Sequence, residues 1–313
     1  MSGYAFLFPG QGSQSVGMLS QAWEHYAVVG DTFAEASDAL GYDLWALVSQ
    51  GPEEQLTLTE FTQPAILTAS VALYRCWQQE GGPCPEFVAG HSLGEYSALV
   101  VAGTLSLNDA ARLVQTRGRA MQSAVPAGEG AMAAVLGLSD AVIDEICVTH
   151  CDDTAYVGAV NYNSPGQVVI AGHAGAVESA GAFMKEAGAK RVLPLPVSAP
   201  FHTPLMQPAA AVMAEAFQTV ELNDAAVPVI SNVDAQPHRK ATEIRRLLVR
   251  QVSEPVMWTQ CVITLIEAGC TRFAECGPGK VLTGLLKRID RSIQCATLVD
   301  PEALKVTATE AAR

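Results

Sequence analysis

The residues best suited to chemistry surround Ser92. The stretch Gly90-His91-Ser92-Leu93-Gly94 has the Gly-x-Ser-x-Gly pattern, follows the apolar run 87–89 and precedes a helix-forming run that stops at Gly103. A serine on a tight strand-to-helix turn needs small neighbours, and the following helix directs backbone N–H groups toward developing negative charge. We therefore predict that Ser92 is a nucleophile. The plainer alternative is an ordinary serine in a glycine-rich turn.

A nucleophilic serine needs a base, and His202 is the best placed of the six histidines. It follows a stretch with Pro194, Pro196 and Pro200, which we expect to form a rigid loop where the chain re-enters its larger domain. Imidazole is the side chain that most often acts as a general base near neutral pH. The sequence predicts His202 as the base, although a lone histidine is more often structural.

One arginine, Arg117, lies on the apolar side of a predicted helix. Ala110, Val114, Arg117 and Met121 follow one another at intervals of four, three and four residues, which places them on one helical face. A guanidinium that points inward needs an anionic partner, since an unpaired buried charge is strongly unfavourable. An internal salt bridge to Asp or Glu satisfies that need, and so does a bound carboxylate. Because this helix directly follows that of Ser92, we favour the bound carboxylate.

The composition is typical of a compact globular protein. The 313 residues are 49% hydrophobic and 16% charged, enough for a large α/β domain with a second, smaller unit. The net charge of −13 disfavours nucleic acid or an anionic membrane as a partner. The eight cysteines form no C-x-x-C pair and no zinc spacing, so we expect reduced thiols, no metal and a cytoplasmic location. We also expect no signal peptide and no membrane-spanning helix.

Two further elements are predicted in the first part of the chain. A short buried strand at Tyr4–Phe8 ends in the turn Pro9-Gly10-Gln11, whose amide N–H groups can face a ligand at the carboxyl end of a parallel sheet. A plain tight turn is the alternative there. A helix is expected to begin at Gln63-Pro64, because proline suits a first helical turn.

Between residues 127 and 197 the elements follow the order βαββαβ, which is typical of a ferredoxin-like subdomain. The predicted units are strands at 132–136, 156–160, 167–171 and 191–195 and helices at 140–149 and 176–187. The stretch 161–166 is the longest predicted turn and can line a cleft. We therefore expect a discontinuous large α/β domain formed by residues 1–126 and 198–313 and a small inserted subdomain at 127–197.

Several segments together resemble one known family. They are, in chain order, Phe8 to Gln14, Thr62 to Ala65, Gly90 to Tyr96, Arg117-Gly118, Asn161 to Gly166, Phe201-His202, Ser231 to Val233 and Gly277 to Gly279. This set, in this order and over essentially the whole chain, resembles the malonyl-CoA:acyl carrier protein transacylases of bacterial type II fatty acid synthesis. The resemblance implies an α/β hydrolase-like core with a mostly parallel sheet and a ferredoxin-like insertion, in agreement with the elements above.

The resemblance also implies a role for each candidate residue. Ser92 matches the nucleophile, His202 the base, and Arg117 the clamp for the free malonyl carboxylate. The backbone amides of Gln11 and Leu93 match the oxyanion hole.

Two further matches concern the surroundings of the histidine. Gln251 matches the residue whose backbone carbonyl orients the base, which suits a sequence with no aspartate convincingly placed to complete a triad. Phe201, directly before the histidine, resembles the malonyl-selective members.

These roles imply double displacement. The malonyl group passes from malonyl-CoA to Ser92 and then to the phosphopantetheine thiol of an acyl carrier protein. No permanently bound cofactor is expected, because the coenzyme A thioester is itself the substrate. Since carrier proteins of this pathway are acidic, the basic pairs Lys190/Arg191 and Lys287/Arg288 are the candidate docking residues. Ordinary solvated surface cations are the alternative for each pair.

Three alternatives stay open at this point. A serine esterase or thioesterase would share Ser92 and His202, would not need an inward arginine and would pass the acyl group to water. A non-catalytic module that binds carrier proteins would leave Ser92 unreactive. A discrete acyltransferase of polyketide synthesis would keep the chemistry and load a different carrier protein.

Overall fold

The computed structural model describes residues 4–152, 154–197 and 199–312. Ser198, in the predicted loop before His202, lies outside the described residues. The strands are β1 (Tyr4–Phe8), β2 (Phe87–Gly90), β3 (Gly130–Leu136), β4 (Val157–Ser164), β5 (Gln167–His173), β6 (Arg191–Pro194), β7 (Val229–Ile230), β8 (Pro237–His238), β9 (Arg272–Glu275) and β10 (Gln294–Thr297). 

The helices cover the first and last thirds of the chain more densely than its middle. They are α1 (Ser20–His25), α2 (Ala27–Leu40), α3 (Leu44–Gln50), α4 (Glu53–Leu56), α5 (Thr59–Gln79), α6 (Gly94–Val101), α7 (Leu107–Ser123), α8 (Asp140–Thr149), α9 (Ala174–Glu186), α10 (Gln207–Ala216), α11 (Ala241–Gln251), α12 (Trp258–Glu267), α13 (Val281–Ile289) and α14 (Pro301–Ala311). Short 3-10 turns flank α10 at Pro204–Met206 and Phe217–Thr219.

The larger sheet has the strand order β10-β9-β1-β2-β7-β8. Its pairs are parallel, except that β8 runs antiparallel to β7. Phe8 of β1 lies opposite Gly90 of β2. The turn that contains Gln11 and the turn that contains Ser92 therefore lie at the same edge of the sheet, where the carboxyl ends of parallel strands meet.

Both faces of the sheet are covered at its central strand β1, as a continuous apolar strand requires. Phe6 and Phe8 pack into the larger core cluster, to which α2, α5 and α7 contribute. Ala5 and Leu7 point to the opposite face and pack into a second cluster with α12 and α13. Helix α7 packs directly against α5, which brings the helix of Arg117 beside the central helix of the large domain.

The smaller sheet has the order β4-β5-β3-β6, with every pair antiparallel. Helices α8 and α9 pack on it through a separate core cluster that includes Ile143 and Met184. The chain order of these elements is βαββαβ, as predicted. The predicted fold class, a mostly parallel α/β core with a small ferredoxin-like sheet, is confirmed; the exact division at residues 126/127 and 197/198 stays a prediction.

The predicted start of the helix at Gln63-Pro64 is wrong. Helix α5 begins at Thr59, so Pro64 lies inside it. The extra turn is held by the amides of Phe61 and Thr62, which donate to the carbonyl of Leu58. Pro64 removes one hydrogen bond of the helix and its ring crowds the carbonyl of the preceding turn, but the residues around it are buried in the core, which holds the helix together.

The stretch 161–166 is not the long turn predicted from its composition. Strand β4 continues to Ser164, with register shifts between Ala159 and Asn161 and between Tyr162 and Ser164. The free edge of β4 also pairs with the large domain: the amide of Tyr162 donates to the carbonyl of Val256 at 3.0 Å. This pairing with a distant segment explains why local turn propensity did not decide the structure.

Candidate active site

Ser92 lies in the turn between β2 and α6 in a strained backbone conformation, with a φ of 50°. Glycine is required on both sides of Ser92, because neighbouring backbone atoms lie too close for a side chain. A Cβ on Gly90 would lie 1.9 Å from the backbone carbon of Gly94, and a Cβ on Gly94 would lie 2.0 Å from the carbonyl oxygen of Phe8. No larger residue fits at either position, so the Gly-x-Ser-x-Gly pattern is the local cause of this turn.

His202 faces Ser92 across the site. Its Nε2 lies 2.8 Å from Ser92 Oγ, and its Nδ1 lies 2.8 Å from the backbone carbonyl oxygen of Gln251. Because a carbonyl only accepts hydrogen bonds, Nδ1 is assigned the proton and Nε2 presents its lone pair to the serine hydroxyl. This is the tautomer that a general base needs.

The surroundings keep His202 neutral. Its side chain is buried. Burial, and next the charge of Arg117, lower the pKa of His202 from 6.5 to about 3, and together they outweigh the hydrogen bond to Gln251 that favours the protonated ring. The imidazole is therefore unprotonated at neutral pH and free to accept a proton.

Arg117 is 1% exposed and lies in the same group. Its Nη2 donates to Ser92 Oγ at 3.1 Å and to Gln251 Oε1 at 3.0 Å, and its Nη1 donates to Gln63 Oε1 at 3.0 Å. Within residues 4–152, 154–197 and 199–312, no Asp or Glu forms an ion pair with it. The internal salt bridge that the sequence left open is therefore not formed there.

This arrangement prepares Arg117 for an anion. Its partners are neutral oxygens, and its Nε has no hydrogen-bond partner in the described residues. Burial lowers the pKa of Arg117 below its usual value, but a guanidinium stays charged in proteins. A buried cation without an anionic contact is unfavourable, so a small carboxylate bound beside the guanidinium would neutralise the charge.

Gln11 and Leu93 line the same cavity. Neither backbone N–H donates a hydrogen bond to any part of the chain that the structure describes. Gln11 lies in the turn after β1, and Leu93 is the N-cap of α6, where the helix dipole adds positive potential. Two unused donors beside a serine hydroxyl can stabilise an oxyanion.

A cavity of about 130 Å³ connects these groups. Its apolar walls are formed by Met121, Met132, Leu195, Val197 and Phe201. Met121 follows Arg117 by one turn of α7, whereas Met132 belongs to β3 of the smaller sheet. The cavity therefore lies between the two sheets, and its size suits a small acyl group with one charged end.

Sequence reasoning missed several polar residues that support this site. The N–H of Ser92 donates to Asn232 Oδ1 at 2.7 Å, and Glu95 accepts hydrogen bonds from Asn232 and Gln251. His91 Nε2 lies 2.7 Å from Asn163 Oδ1, which β4 brings in from the smaller sheet. Glu95 could have been predicted from the sequence, because it is the one charged residue at the start of an otherwise uncharged helical run.

The four basic residues predicted to dock a carrier protein lie outside the cavity. Lys190 and Arg191 stand at the start of β6, Lys287 and Arg288 lie in the last turn of α13, and all four are exposed. None of them forms an ion pair with another described residue. Their role in docking stays a prediction.

Within the described residues, no group of three or more His, Cys, Asp or Glu side chains could hold a metal ion. No described helix is long and apolar enough to cross a membrane.

Known proteins share this sequence and fold. Residues 5–304 match the family described as acyl transferase domain. The malonyl CoA-acyl carrier protein transacylase of Escherichia coli is 56% identical over 304 residues, which is 97% of this chain and 98% of that protein. The solved malonyl CoA-acyl carrier protein transacylase from Coxiella burnetii superimposes with a TM-score of 0.98 at 47% identity, over 100% of this chain and 98% of that one.

A second solved structure contains a partner. It is a malonyl-transacylase in complex with a type II PKS acyl-carrier protein, and it superimposes with a TM-score of 0.96 at 52% identity over 99% of both chains. Family match, identity and fold agree over nearly the full length. The chain is thus an acyltransferase, and it belongs to the family of malonyl CoA-acyl carrier protein transacylases.

Proposed function

We propose that this acyltransferase moves the malonyl group of malonyl-CoA to the phosphopantetheine thiol of an acyl carrier protein, through a malonyl ester on Ser92, and so supplies fatty acid chain elongation. The observation that carries this proposal is the buried guanidinium of Arg117, 3.1 Å from the nucleophile oxygen. The malonyl carboxylate is one methylene away from the thioester carbonyl, so one substrate can contact both residues. The names of the bacterial relatives point to the same pair of substrates.

In the first half-reaction His202 Nε2 takes the proton of Ser92 Oγ, and Oγ attacks the thioester carbonyl carbon of malonyl-CoA. The amides of Gln11 and Leu93 donate to the oxyanion that forms. When the tetrahedral intermediate collapses, the carbon–sulfur bond breaks. Coenzyme A leaves as a thiol after its sulfur takes the proton from His202, and the malonyl group remains as an ester on Ser92.

The second half-reaction runs in the opposite sense. The thiol of the carrier protein's phosphopantetheine gives its proton to His202, and the sulfur attacks the ester carbonyl. The bond to Ser92 Oγ then breaks, and Oγ recovers the proton from His202. Anchoring the malonyl group at both Ser92 and Arg117 holds the ester carbonyl in place for the thiol and away from a well-aligned water.

The carboxylate also changes the electrostatics of the base. Arg117 and His202 both contact Ser92 Oγ, so the charge of Arg117 opposes protonation of the imidazole. A malonyl carboxylate paired with Arg117 cancels that charge at the moment when His202 must become an imidazolium. The correct substrate therefore helps the base that acts on it, and an acetyl group does not.

Coenzyme A is a substrate in this scheme, and the chemistry needs no resident cofactor. The acidic carrier protein must approach a chain of net charge −13, so docking relies on local cations. Lys190, Arg191, Lys287 and Arg288 are the proposed contacts, because all are exposed and unpaired within the described residues.

Mass spectrometry of the intact protein after incubation with malonyl-CoA tests the covalent route. We expect one malonyl adduct, which peptide mapping locates on Ser92 and which disappears when a phosphopantetheinylated carrier protein is added. Ser92→Ala is the matched control and gives no adduct. Absence of an adduct on the parent protein refutes the covalent route.

The same experiment separates this function from the alternatives. A thioesterase would release malonate into water at a rate independent of the carrier protein, and a non-catalytic module would form no adduct. The similarity to a malonyl-transacylase bound to a type II PKS acyl-carrier protein makes polyketide synthesis the second candidate pathway. Comparing kcat/KM for fatty acid and polyketide carrier proteins decides between them.

A further inference from the structure

One buried carboxylate beside the nucleophile has no part in the reaction steps above. Glu95 directly follows the Gly-x-Ser-x-Gly motif and is 2% exposed. Burial raises the pKa of Glu95 to about 7. Burying a carboxylic acid costs free energy. The hydrogen bonds of Glu95 show what it contributes in return.

Glu95 Oε2 accepts two hydrogen bonds. One comes from the backbone N–H of Asn232 at 3.0 Å and the other from Nε2 of Gln251 at 2.8 Å. Both partners are buried, and each of them also contacts the groups that would react. Glu95 thus joins two segments that are distant in sequence behind Ser92.

The contact with Gln251 fixes the orientation of its amide. Gln251 Nε2 also donates to the carbonyl of Ser92 at 3.0 Å, while Gln251 Oε1 accepts from Arg117 Nη2 at 3.0 Å. A guanidinium only donates, so a flipped amide would place two donors against each other and leave Glu95 Oε2 facing an acceptor. The same residue's backbone carbonyl orients His202.

The contact with Asn232 fixes the turn of the nucleophile. Asn232 Oδ1 accepts the N–H of Ser92 at 2.7 Å, and Asn232 Nδ2 donates to the carbonyl of Gly90 at 2.7 Å. The side chain thus bridges the turn in which Ser92 has its φ of 50°. Such a backbone conformation persists only where the surroundings hold it, and Glu95 anchors the residue that does so.

We propose that Glu95 is a positioning residue: through the amide of Gln251 and the backbone of Asn232 it holds Ser92, His202 and Arg117 in their mutual geometry. This inference rests on the proposed function, since it assigns a task within that same reaction. Small displacements of reacting groups are costly, about 10²-fold in rate for about 1 Å. Loss of Glu95 is therefore expected to lower the rate of transfer at each active site.

The test compares Glu95→Ala, Glu95→Asp and Glu95→Gln in the full-length protein. Active serines are titrated to completion with a fluorophosphonate, and malonyl transfer is expressed per titrated serine. We expect a loss of about 10- to 100-fold per serine for Glu95→Ala. Glu95→Gln keeps an oxygen that can accept both hydrogen bonds, so it is expected to restore the rate to within about fivefold.

If Glu95→Ala does not fold, Glu95→Asp provides the test. It keeps the carboxylate but withdraws it by one methylene, so we expect a loss of at least about tenfold per serine. Glu275 provides the matched control: it is buried and accepts hydrogen bonds from the amides of Leu282 and Thr283, away from the cavity. Glu275→Gln is expected to lower the melting temperature and leave the rate per serine unchanged.

A purely structural role predicts fewer titratable serines with a normal rate at each of them. The inference is overturned if Glu95→Asp and Glu95→Ala both have rates per serine within twofold of the parent. If the alanine variant does not fold, the same result for Glu95→Asp alone overturns it. Failure of the proposed function is distinguishable, because the parent protein itself would then form no malonyl-serine and load no carrier protein.

Discussion

Replacing Arg117 by alanine is expected to separate malonyl transfer from acetyl transfer. The guanidinium is 1% exposed and has only neutral partners among the described residues. A malonyl carboxylate would accept two charge-assisted hydrogen bonds from it, each worth about 1.5–3 kcal/mol. Losing both lowers kcat/KM for malonyl-CoA by about 10²- to 10⁴-fold, at about 1.4 kcal/mol for each factor of ten.

Acetyl-CoA carries no carboxylate, so the same substitution costs it less. The acetyl reaction loses only the charge-assisted hydrogen bond from Arg117 to Ser92 Oγ, worth about 10- to 100-fold in rate, and malonyl transfer loses that bond as well. Removing the cation also lets the pKa of His202 rise from about 3, which favours the base and offsets part of this loss. We therefore expect acetyl transfer to fall by no more than about 100-fold, and malonyl transfer to fall by a further factor of about 10² to 10⁴.

The assay follows transfer from malonyl-CoA and acetyl-CoA to one carrier protein under matched conditions. Arg119→Ala is the control, because Arg119 lies on the same helix but points outward and pairs with Glu60; both transfers should stay unchanged. Equal losses of malonyl and acetyl transfer in Arg117→Ala would refute the assignment of this residue as the carboxylate clamp.

Three further predictions concern pH and docking. Burial lowers the pKa of His202 to about 3, so kcat/KM should not decline between pH 7 and pH 5 through its protonation; an apparent pKa near 6.5 in the Glu95→Gln variant, which lacks the carboxyl that titrates near 7, contradicts this. The pKa of Glu95 is raised from 4.5 to about 7, so the folded state keeps a proton that the unfolded state releases, and stability is lost as the pH rises between these values. Denaturant titrations should show the free energy of unfolding of Glu95→Gln rising by about 3 kcal/mol relative to that of the parent over that pH interval. A difference between the two that does not change with pH rules out the raised pKa. Reversing the charges of Lys287 and Arg288 to Glu should raise KM for the carrier protein, most strongly at low salt, without changing acylation by malonyl-CoA; an unchanged KM removes these residues from the docking surface.

Local features of the chain determined much of the candidate site. The glycines beside Ser92 can be read as a tight turn because only a residue without a Cβ fits there. Helical spacing placed Arg117 on the buried face, since a period of about 3.6 residues follows from the geometry of the helix itself. The order βαββαβ was also predictable, because each of its elements has its own periodicity or turn signal.

The partners of these residues were decided by the tertiary structure. Arg117 was expected to need an acid or a ligand, and only the packed structure shows it against two neutral glutamines. Asn232 reaches the turn of Ser92 because β2 and β7 are neighbours in the sheet, although they are far apart in the chain.

The sequence by itself therefore determined which residues carry reactive groups and which face of its element each one occupies. It did not determine the start of α5, the continuation of β4 past residue 161, or the network from Glu95 to Gln251. The physical reason is the same in all three cases. Propensity and periodicity act over a few residues, whereas these features depend on hydrogen bonds and packing between segments that strand order alone brings together.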